Sequence, residues 1–246
     1  MIDEQIAYNS IKPLRNVSAL WRLIEQLKHR KYGLPGLGTF YGFSGYGKTC
    51  AACHAVVASN DIHVRMGSTW TQAKLCKAIL FELGVAPRRT ISDMVDQIAE
   101  ELARTGRALL IDEADFLVKR NMVEIVRDVH DQSDGVIVLI GEEKLPQALQ
   151  RWERVHGRIL QWVAAEPGDM GDLRLLASLH TPEIELEEVL LDRILRDTRG
   201  SIRRMCNSLD AVNEFASTKT LDIVTSEDWG ERSFFTGEAP APRRSA

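Results

Sequence analysis

Long apolar runs are missing from this chain. No stretch of its 246 residues reaches the roughly 18 apolar positions that a membrane helix needs, so no membrane-spanning role is expected. The opening Met1-Ile2-Asp3-Glu4 lacks the basic and apolar regions of a signal peptide, and none is expected. Cysteine is scarce: Cys50, Cys53, Cys76 and Cys206 are all there are. Cys50-Ala-Ala-Cys53 has C-x-x-C spacing but no second pair to complete a zinc site, and it fits small apolar positions on a buried helix better than a redox motif. Four cysteines imply a reducing, cytoplasmic compartment. An excess of positive charge is also lacking. The net charge is −4, so any attraction to nucleic acid must come from local patches. No internal repeat is visible. The one biased stretch is the Pro/Ala-rich tail at 236–246, which is expected to be disordered.

What is present is ordinary for a globular chain: 44% hydrophobic and 27% charged residues, in a length that suits one large domain or a domain with a small lid. Short apolar runs alternate with helical patterns. Leu37–Tyr41, Ile62–Met66, Ala108–Ile111, Val136–Ile140 and Ile159–Val163 read as strands. Apolar strands between helices predict a parallel sheet covered on both faces. One helix fills Lys48–Ala58. Two more lie between the second and third strands. The first opens on the capping-box pattern Thr69-Trp70-Thr71-Gln72 and closes at Gly84, and the second runs from Ser92 to Arg104. After Pro167 the pattern is helical throughout, over 172–180, 187–196 and 201–215. The expected organisation is a helical lead-in at 1–35, a nucleotide-binding α/β domain at 36–166, an all-helical lid at 167–235 and the tail.

Gly42-Phe43-Ser44-Gly45-Tyr46-Gly47-Lys48-Thr49 matches G-x-x-x-x-G-K-[ST] between a strand and a helix. Glycines let backbone N–H groups close around phosphate oxygens at the helix N-terminus. Lys48 offers a charge to the β- and γ-phosphates, and Thr49 a hydroxyl to Mg²⁺. With Cys50 next in line, Gly42–Cys50 is the candidate ATP cradle. The strand before Asp112-Glu113 delivers a second metal-shell oxygen from Asp112 and a general base from Glu113. Asp115 reads as a helix cap or a surface charge.

Strand order, the Asp112-Glu113 pair and the helical lid resemble the AAA+ ATPases. The resemblance implies a three-layer P-loop sandwich with a five-stranded parallel sheet and Mg²⁺-dependent ATP hydrolysis. It also implies a γ-phosphate sensor after the fourth strand, where Glu142 replaces the usual Asn, Thr or Ser. The resemblance further implies an arginine acting on a neighbouring subunit. Arg151, Arg154 and Arg158 would share one face if their helix persists, with Arg158 the first choice. Gly200-Ser201-Ile202-Arg203-Arg204 resembles the second sensor, with Arg203 reaching the γ-phosphate. Gly135–Glu143, Leu145 and Arg158-Ile159 look like the transposition ATPases, among them the B protein of Mu-like phages. That likeness implies homo-oligomers (filaments or rings), duplex DNA bound with ATP, and a transposase partner. The alternatives are a replication initiator or helicase loader, and a secretion-linked ATPase.

A helix over 70–83 puts Leu75, Cys76, Ile79, Leu80 and Leu83 on one side, and Trp70, Lys74, Lys77 and Phe81 on the other. The second stripe, with Arg65, Ser68, Thr69 and Thr71 adding donors beside it, is a candidate phosphate-tracking surface; its alternative is a packing surface covered by lysine stems. Lys119-Arg120 and Lys28-His29-Arg30-Lys31 are further basic candidates.

Overall fold

The computed structural model describes residues 14–234. The expected disordered tail and residues 1–13 of the lead-in lie outside the described residues. The chain divides into two compact units, one of residues 16–44 and 48–166, the other including 45–47 and 167–234.

The first unit is α/β. Its elements are α1 (Arg15–Lys28), β1 (Leu37–Tyr41), α2 (Lys48–Ser59), β2 (Ile62–Arg65), α3 (Gln72–Leu83), α4 (Ile91–Thr105), β3 (Leu109–Asp112), α5 (Asp115–Lys119), α6 (Val123–Ser133), β4 (Ile137–Gly141), α7 (Leu145–Leu149), α8 (Glu153–His156) and β5 (Ile159–Ala164). The strands form one five-stranded sheet in the order β2-β3-β4-β1-β5, every pairing parallel. Every residue of β3 and β4 is buried, as the continuous apolar runs require of strands covered on both faces. The core joins Ile62 and Val64 of β2 to Leu75, Ile79, Ile98 and Leu102 from the helices and Leu109, Ile111, Ile137 and Leu139 from the central strands.

Two local expectations are corrected. Helix α3 starts at Gln72, and its N-cap is Thr71, not Thr69. The Thr71 hydroxyl accepts from Lys74 N at 3.3 Å, while Trp70 N–H closes a turn onto Gly67 O at 3.1 Å, which keeps residue 70 out of the helix. The face of Arg151, Arg154 and Arg158 does not form. Helix α7 ends at Leu149 and Trp152 leaves helical geometry (φ −108°, ψ 72°), so the three arginines fall between helices, in α8 and just before β5.

The second unit holds α9 (Met170–His180), β6 (Glu185–Leu186), α10 (Glu188–Thr198), α11 (Ile202–Lys219), β7 (Ile223–Val224) and α12 (Ser226–Trp229). It is not all-helical. β6 and β7 pair in parallel, and Glu185 N donates to Asp222 O at 2.9 Å. Its own core gathers Leu173, Leu190, Ile194, Met205, Leu209 and Val212. Among the described residues no helix is long and apolar enough to cross a membrane.

Candidate functional site

The carboxyl ends of the parallel strands are where loops can gather catalytic groups. The loop after β1 turns on Gly45 and Gly47, at φ 88° and 80°, a region closed to most other residues at low cost. Gly42 has no room for a side chain: a Cβ there would meet Ala165 O at 2.9 Å. Lys48, at the start of α2, is buried and donates from Nζ to Gly42 O (2.5 Å) and Phe43 O (2.9 Å). Burial pushes its ammonium below the ordinary lysine value. Four carboxylates oppose that shift, Glu142 most strongly, then Asp112, Asp115 and Glu113. The P-loop lysine is thus ringed by acids and held by loop carbonyls.

Thr49 Oγ1 donates to Asp112 Oδ2 at 2.7 Å, and Glu113 N–H donates to Asp112 Oδ1 at 2.8 Å. Burial alone would raise the Asp112 carboxyl. The His63 and Thr49 side chains and the Glu113 N–H outweigh it and hold the group below the usual carboxylate range. His63 Nε2 stands 3.7 Å from Oδ2, an electrostatic neighbour too distant for a hydrogen bond. Asp112 is therefore a carboxylate at neutral pH. Thr49 and Asp112 supply two adjacent hard oxygens, a set that fits Mg²⁺, which keeps several waters and takes few protein ligands. Among the described residues no group of three His, Cys, Asp or Glu side chains could cage a metal by itself.

Glu113 has left-handed backbone, φ 57°. That conformation costs a non-glycine residue about 1–3 kcal/mol and persists only where neighbours enforce it. Here Ala114 N donates to Ile140 O (2.8 Å) and Phe116 N to Glu113 O (3.0 Å). The Glu113 carboxylate Oε1 accepts from Arg65 at 3.2 Å. Asp115, expected as a cap or surface charge, accepts the Glu142 N–H at 2.7 Å and so pins the loop after β4 beside the P-loop lysine. A Cβ on Gly141 would meet Asp115 Oδ2 at 2.5 Å and Leu145 Cδ2 at 2.7 Å, so any larger residue there would push the Asp115 carboxylate away from the Glu142 N–H.

The structure brings Lys48, Thr49, Asp112, Glu113 and Glu142 together. Arg158 does not join them: its guanidinium forks onto both carboxylate oxygens of Asp131, 2.6 Å at Nη2, and also donates to Arg154 O. Arg203 sits in the first turn of α11, and its N–H donates to Gly45 O at 3.2 Å. Cys50 and Cys53 are both exposed, which corrects the buried position expected for the pair, and the Cys50 thiol is pushed up by partial desolvation and then by Cys53.

The basic stripe lies on the surface. Leu75, Cys76, Ile79 and Leu80 are buried, whereas Lys74, Lys77 and Phe81 are exposed and Trp70 is half-buried with Lys74 Nζ 5.5 Å from its ring. A groove of about 760 Å³ runs between this stripe and β2, and a second of about 560 Å³ lies between Thr71 and Lys119-Arg120; Trp70 borders both. Arg120 also donates to Ser68 O. In the cluster at Lys28–Lys31, Lys28 is bonded to Asp61 and Arg30 to Asp134. The sequence places Arg65 beside the basic stripe but does not reveal its contact with Glu113, nor His63 as a neighbour of Asp112. Their i, i+2 spacing at the end of a strand was the available signal.

Residues 30–149 match the family model described as an AAA domain. Among solved structures the chain is similar to that of the Aeropyrum pernix ORC1 protein in complex with DNA, at 18% identity and TM-score 0.60, covering 88% of this chain and 64% of that one. It is also similar to Cdc6p from Pyrobaculum aerophilum, at 16% identity and TM-score 0.64, covering 88% and 66%. The chain thus spans about two thirds of the length of these proteins, and at such identity the likeness is one of fold. No curated protein matches the chain.

Proposed function

We propose that this chain is a Mg²⁺-dependent ATPase that binds duplex DNA with little sequence preference, of the replication-initiator or helicase-loader kind. The observation that carries the enzymatic reading is the Thr49–Asp112–Glu113 arrangement beside Lys48. Backbone N–H groups of Gly42–Cys50 and the Lys48 ammonium hold the β- and γ-phosphates. Thr49 and Asp112 hold Mg²⁺, which when bound neutralises phosphate charge. Glu113 takes a proton from the water whose oxygen attacks the γ-phosphorus, as the bond to the β,γ-bridging oxygen breaks and ADP leaves. Glu142 stands in the first-sensor place, and Arg203 in the second. Arg158 serves the site of a neighbouring subunit in a homo-oligomer, and Asp131 sets the direction of its guanidinium until that subunit arrives.

The likeness to an initiator structure solved with DNA supports duplex binding, and Trp70, Thr71, Lys74, Lys77, Lys119 and Arg120 are the contacts proposed. A second reading, a transposition ATPase partnered by a transposase, rests on the strand-to-glycine turn at 135–143, Leu145 and Arg158-Ile159. No family or structural match is specific to it, so the initiator reading is preferred.

Fluorescence anisotropy on a labelled random duplex, with ATP, ADP and no nucleotide across a salt series, tests the DNA reading. Each neutralised phosphate adds a slope of about −0.9 in log K against log salt. Binding that requires ATP, and that Lys74→Glu with Lys77→Glu abolishes while nucleotide binding persists, is expected. A wild-type chain indifferent to duplex in all three states rejects it.

A further inference from the structure

We infer that the outer edge of β2 is a peptide-docking site, which takes an extended acidic segment of a partner protein as a sixth strand of the five-stranded sheet. The inference goes beyond the DNA reading and does not depend on it.

β2 stands at the end of the sheet order, beside β3. Ile62 N–H donates to Ala108 O at 2.8 Å, and Met66 N–H to Asp112 O at 2.9 Å. Alternate residues of a strand bond the same neighbour, so positions 62, 64 and 66 turn their main-chain groups towards β3. His63 and Arg65 turn theirs the other way, and among the described residues no backbone group pairs with them. Edge strands are commonly blunted by proline, a bulge or a covering element. β2 has no proline, and its register with β3 is regular from Ile62 to Arg65. Instead of a cover, it borders the groove of about 760 Å³, whose lining includes His63, Val64 and Arg65. The edge therefore offers N–H donors and C=O acceptors at strand spacing, with room beside them for another chain.

The side chains around the groove select the strand. Val64 shares the core with Leu75 and Ile79, so α3 lies on that face of the sheet and its outer stripe rises beside the edge. Lys74, Lys77 and Phe81 on that stripe are exposed. Arg65, on the opposite face of β2, is 61% exposed. Against these cations the groove sets a single carboxylate, Glu82. An incoming strand sends alternate side chains to one face, about 6.6 Å apart. Lys74 and Lys77 are about 4.5 Å apart along the axis of α3, and their flexible stems cover the difference. Carboxylates at i and i+2 of the incoming strand thus meet the two lysines. The same charges decide among occupants. A second β2 edge would bring Arg65, Lys74 and Lys77 against their own copies, and the tail brings Arg243 and Arg244. A nucleic-acid backbone meets the lysines but has no N–H donors for the open carbonyls of His63 and Arg65. An acidic peptide satisfies donors, acceptors and charges together, by main-chain bonds along the edge and side chains in the groove. With duplex on Lys74 and Lys77, as proposed above, peptide and duplex exclude one another.

The test titrates the full chain into a fluorescein-labelled heptapeptide of alternating valine and glutamate, with both ends blocked. Saturable binding is expected. The same peptide N-methylated at its three central residues keeps every charge and loses the donors, so it should bind about tenfold more weakly or worse. A version with lysine for glutamate should not bind. Lys74→Glu with Lys77→Glu should weaken the glutamate peptide about tenfold. Amide hydrogen exchange at His63 and Arg65 should slow when the glutamate peptide is bound and stay unchanged with duplex. Equal affinity for the methylated peptide overturns the proposal, because the contact is then charge alone. Binding that leaves the His63 and Arg65 amides as open as before overturns it too, and so does a glutamate peptide that fails to bind. These three measurements use the wild-type chain and need no variant to fold. Unlabelled random duplex should displace the peptide. If the chain binds no duplex at all, the DNA reading fails, whereas the methylated peptide and the amide exchange still judge the edge.

Discussion

The two edges of the parallel sheet bury polar groups in opposite ways. At the amino edge, Asp61 precedes β2 and is 1% exposed. It accepts two bonds from Lys28 Nζ (both 2.9 Å), one from Ser59 Oγ (2.5 Å) and one from Ala108 N–H (2.8 Å), and so ties α1 to the starts of β2 and β3. His130 does the same for β1 and β4. Its Nδ1 bonds Gly135 O at 2.9 Å, and its Nε2 accepts from Gly36 N–H at 3.3 Å. Every partner there is backbone or a dedicated side chain. At the carboxyl edge the partners are other site groups: Lys48 sits on loop carbonyls, Thr49 on Asp112, Arg65 on Glu113, and His63 Nε2 is buried without a hydrogen bond. Glu113 adds left-handed backbone. A buried polar group with a closed set of partners holds the fold. One whose partners can be exchanged for a ligand, in enforced geometry, is poised for chemistry.

The comparison is broken most strongly by substituting one acid at each edge. Glu113→Gln keeps the shape and removes the proton acceptor. Steady-state turnover should drop about 10²- to 10⁴-fold with ATP affinity unchanged, as measured by hydrolysis and nucleotide titration side by side. Asp61→Ala should act in the reverse sense. It strands the Ala108 N–H and leaves Lys28 without its counter-charge, so denaturant unfolding should show a loss of about 2–4 kcal/mol. Per folded molecule, turnover should not move. A Glu113→Gln enzyme that hydrolyses normally, or an Asp61→Ala enzyme that is stable but slow, reverses the roles assigned to the two edges.

The carboxyl edge was partly legible in the sequence because its signals are local. Gly42–Thr49 and the apolar run into Asp112-Glu113 are contiguous patterns that name their own chemistry. The five strands follow from apolar runs between helices. What stayed hidden depends on register or long separation. Arg65 meets Glu113 only because β2 pairs with β3 so that Arg65 faces Asp112. Asp115 finds Glu142 N–H across 27 residues, and Arg158 finds Asp131 across the same distance. The choice of Thr71 over Thr69 as N-cap was a competition between neighbours of equal propensity, settled by the turn at Gly67–Trp70. The pairing of β6 with β7 joins two-residue segments too short for any periodicity to announce. The amino-edge network left no motif, since Asp61 and His130 are single residues whose partners come from distant strand starts.

The smallest effect concerns His130 and sharpens the amino-edge half of the comparison. Because Gly135 O can only accept, Nδ1 carries the proton and Nε2 is the acceptor for Gly36 N–H. This is a neutral imidazole in a defined tautomer. Burial pushes its pKa below the ordinary histidine value, more than the bond to Gly135 O raises it. A second proton would place an Nε2–H against Gly36 N–H. The unfolded chain, with an ordinary histidine near pH 6.5, binds that proton more readily than the fold does. The stabilisation is therefore fully present above about pH 6.5 and is lost as pH falls through that value towards the depressed folded pKa. His130→Gln can still donate to Gly135 O and accept from Gly36 N–H, yet it does not titrate. Urea unfolding of the two proteins from pH 7.5 to 5.5 should show a stability difference that shrinks on acidification, with the wild type losing stability faster. Parallel pH profiles would mean that His130 is not held neutral at the amino edge, and that this edge is less closed than its hydrogen bonds indicate.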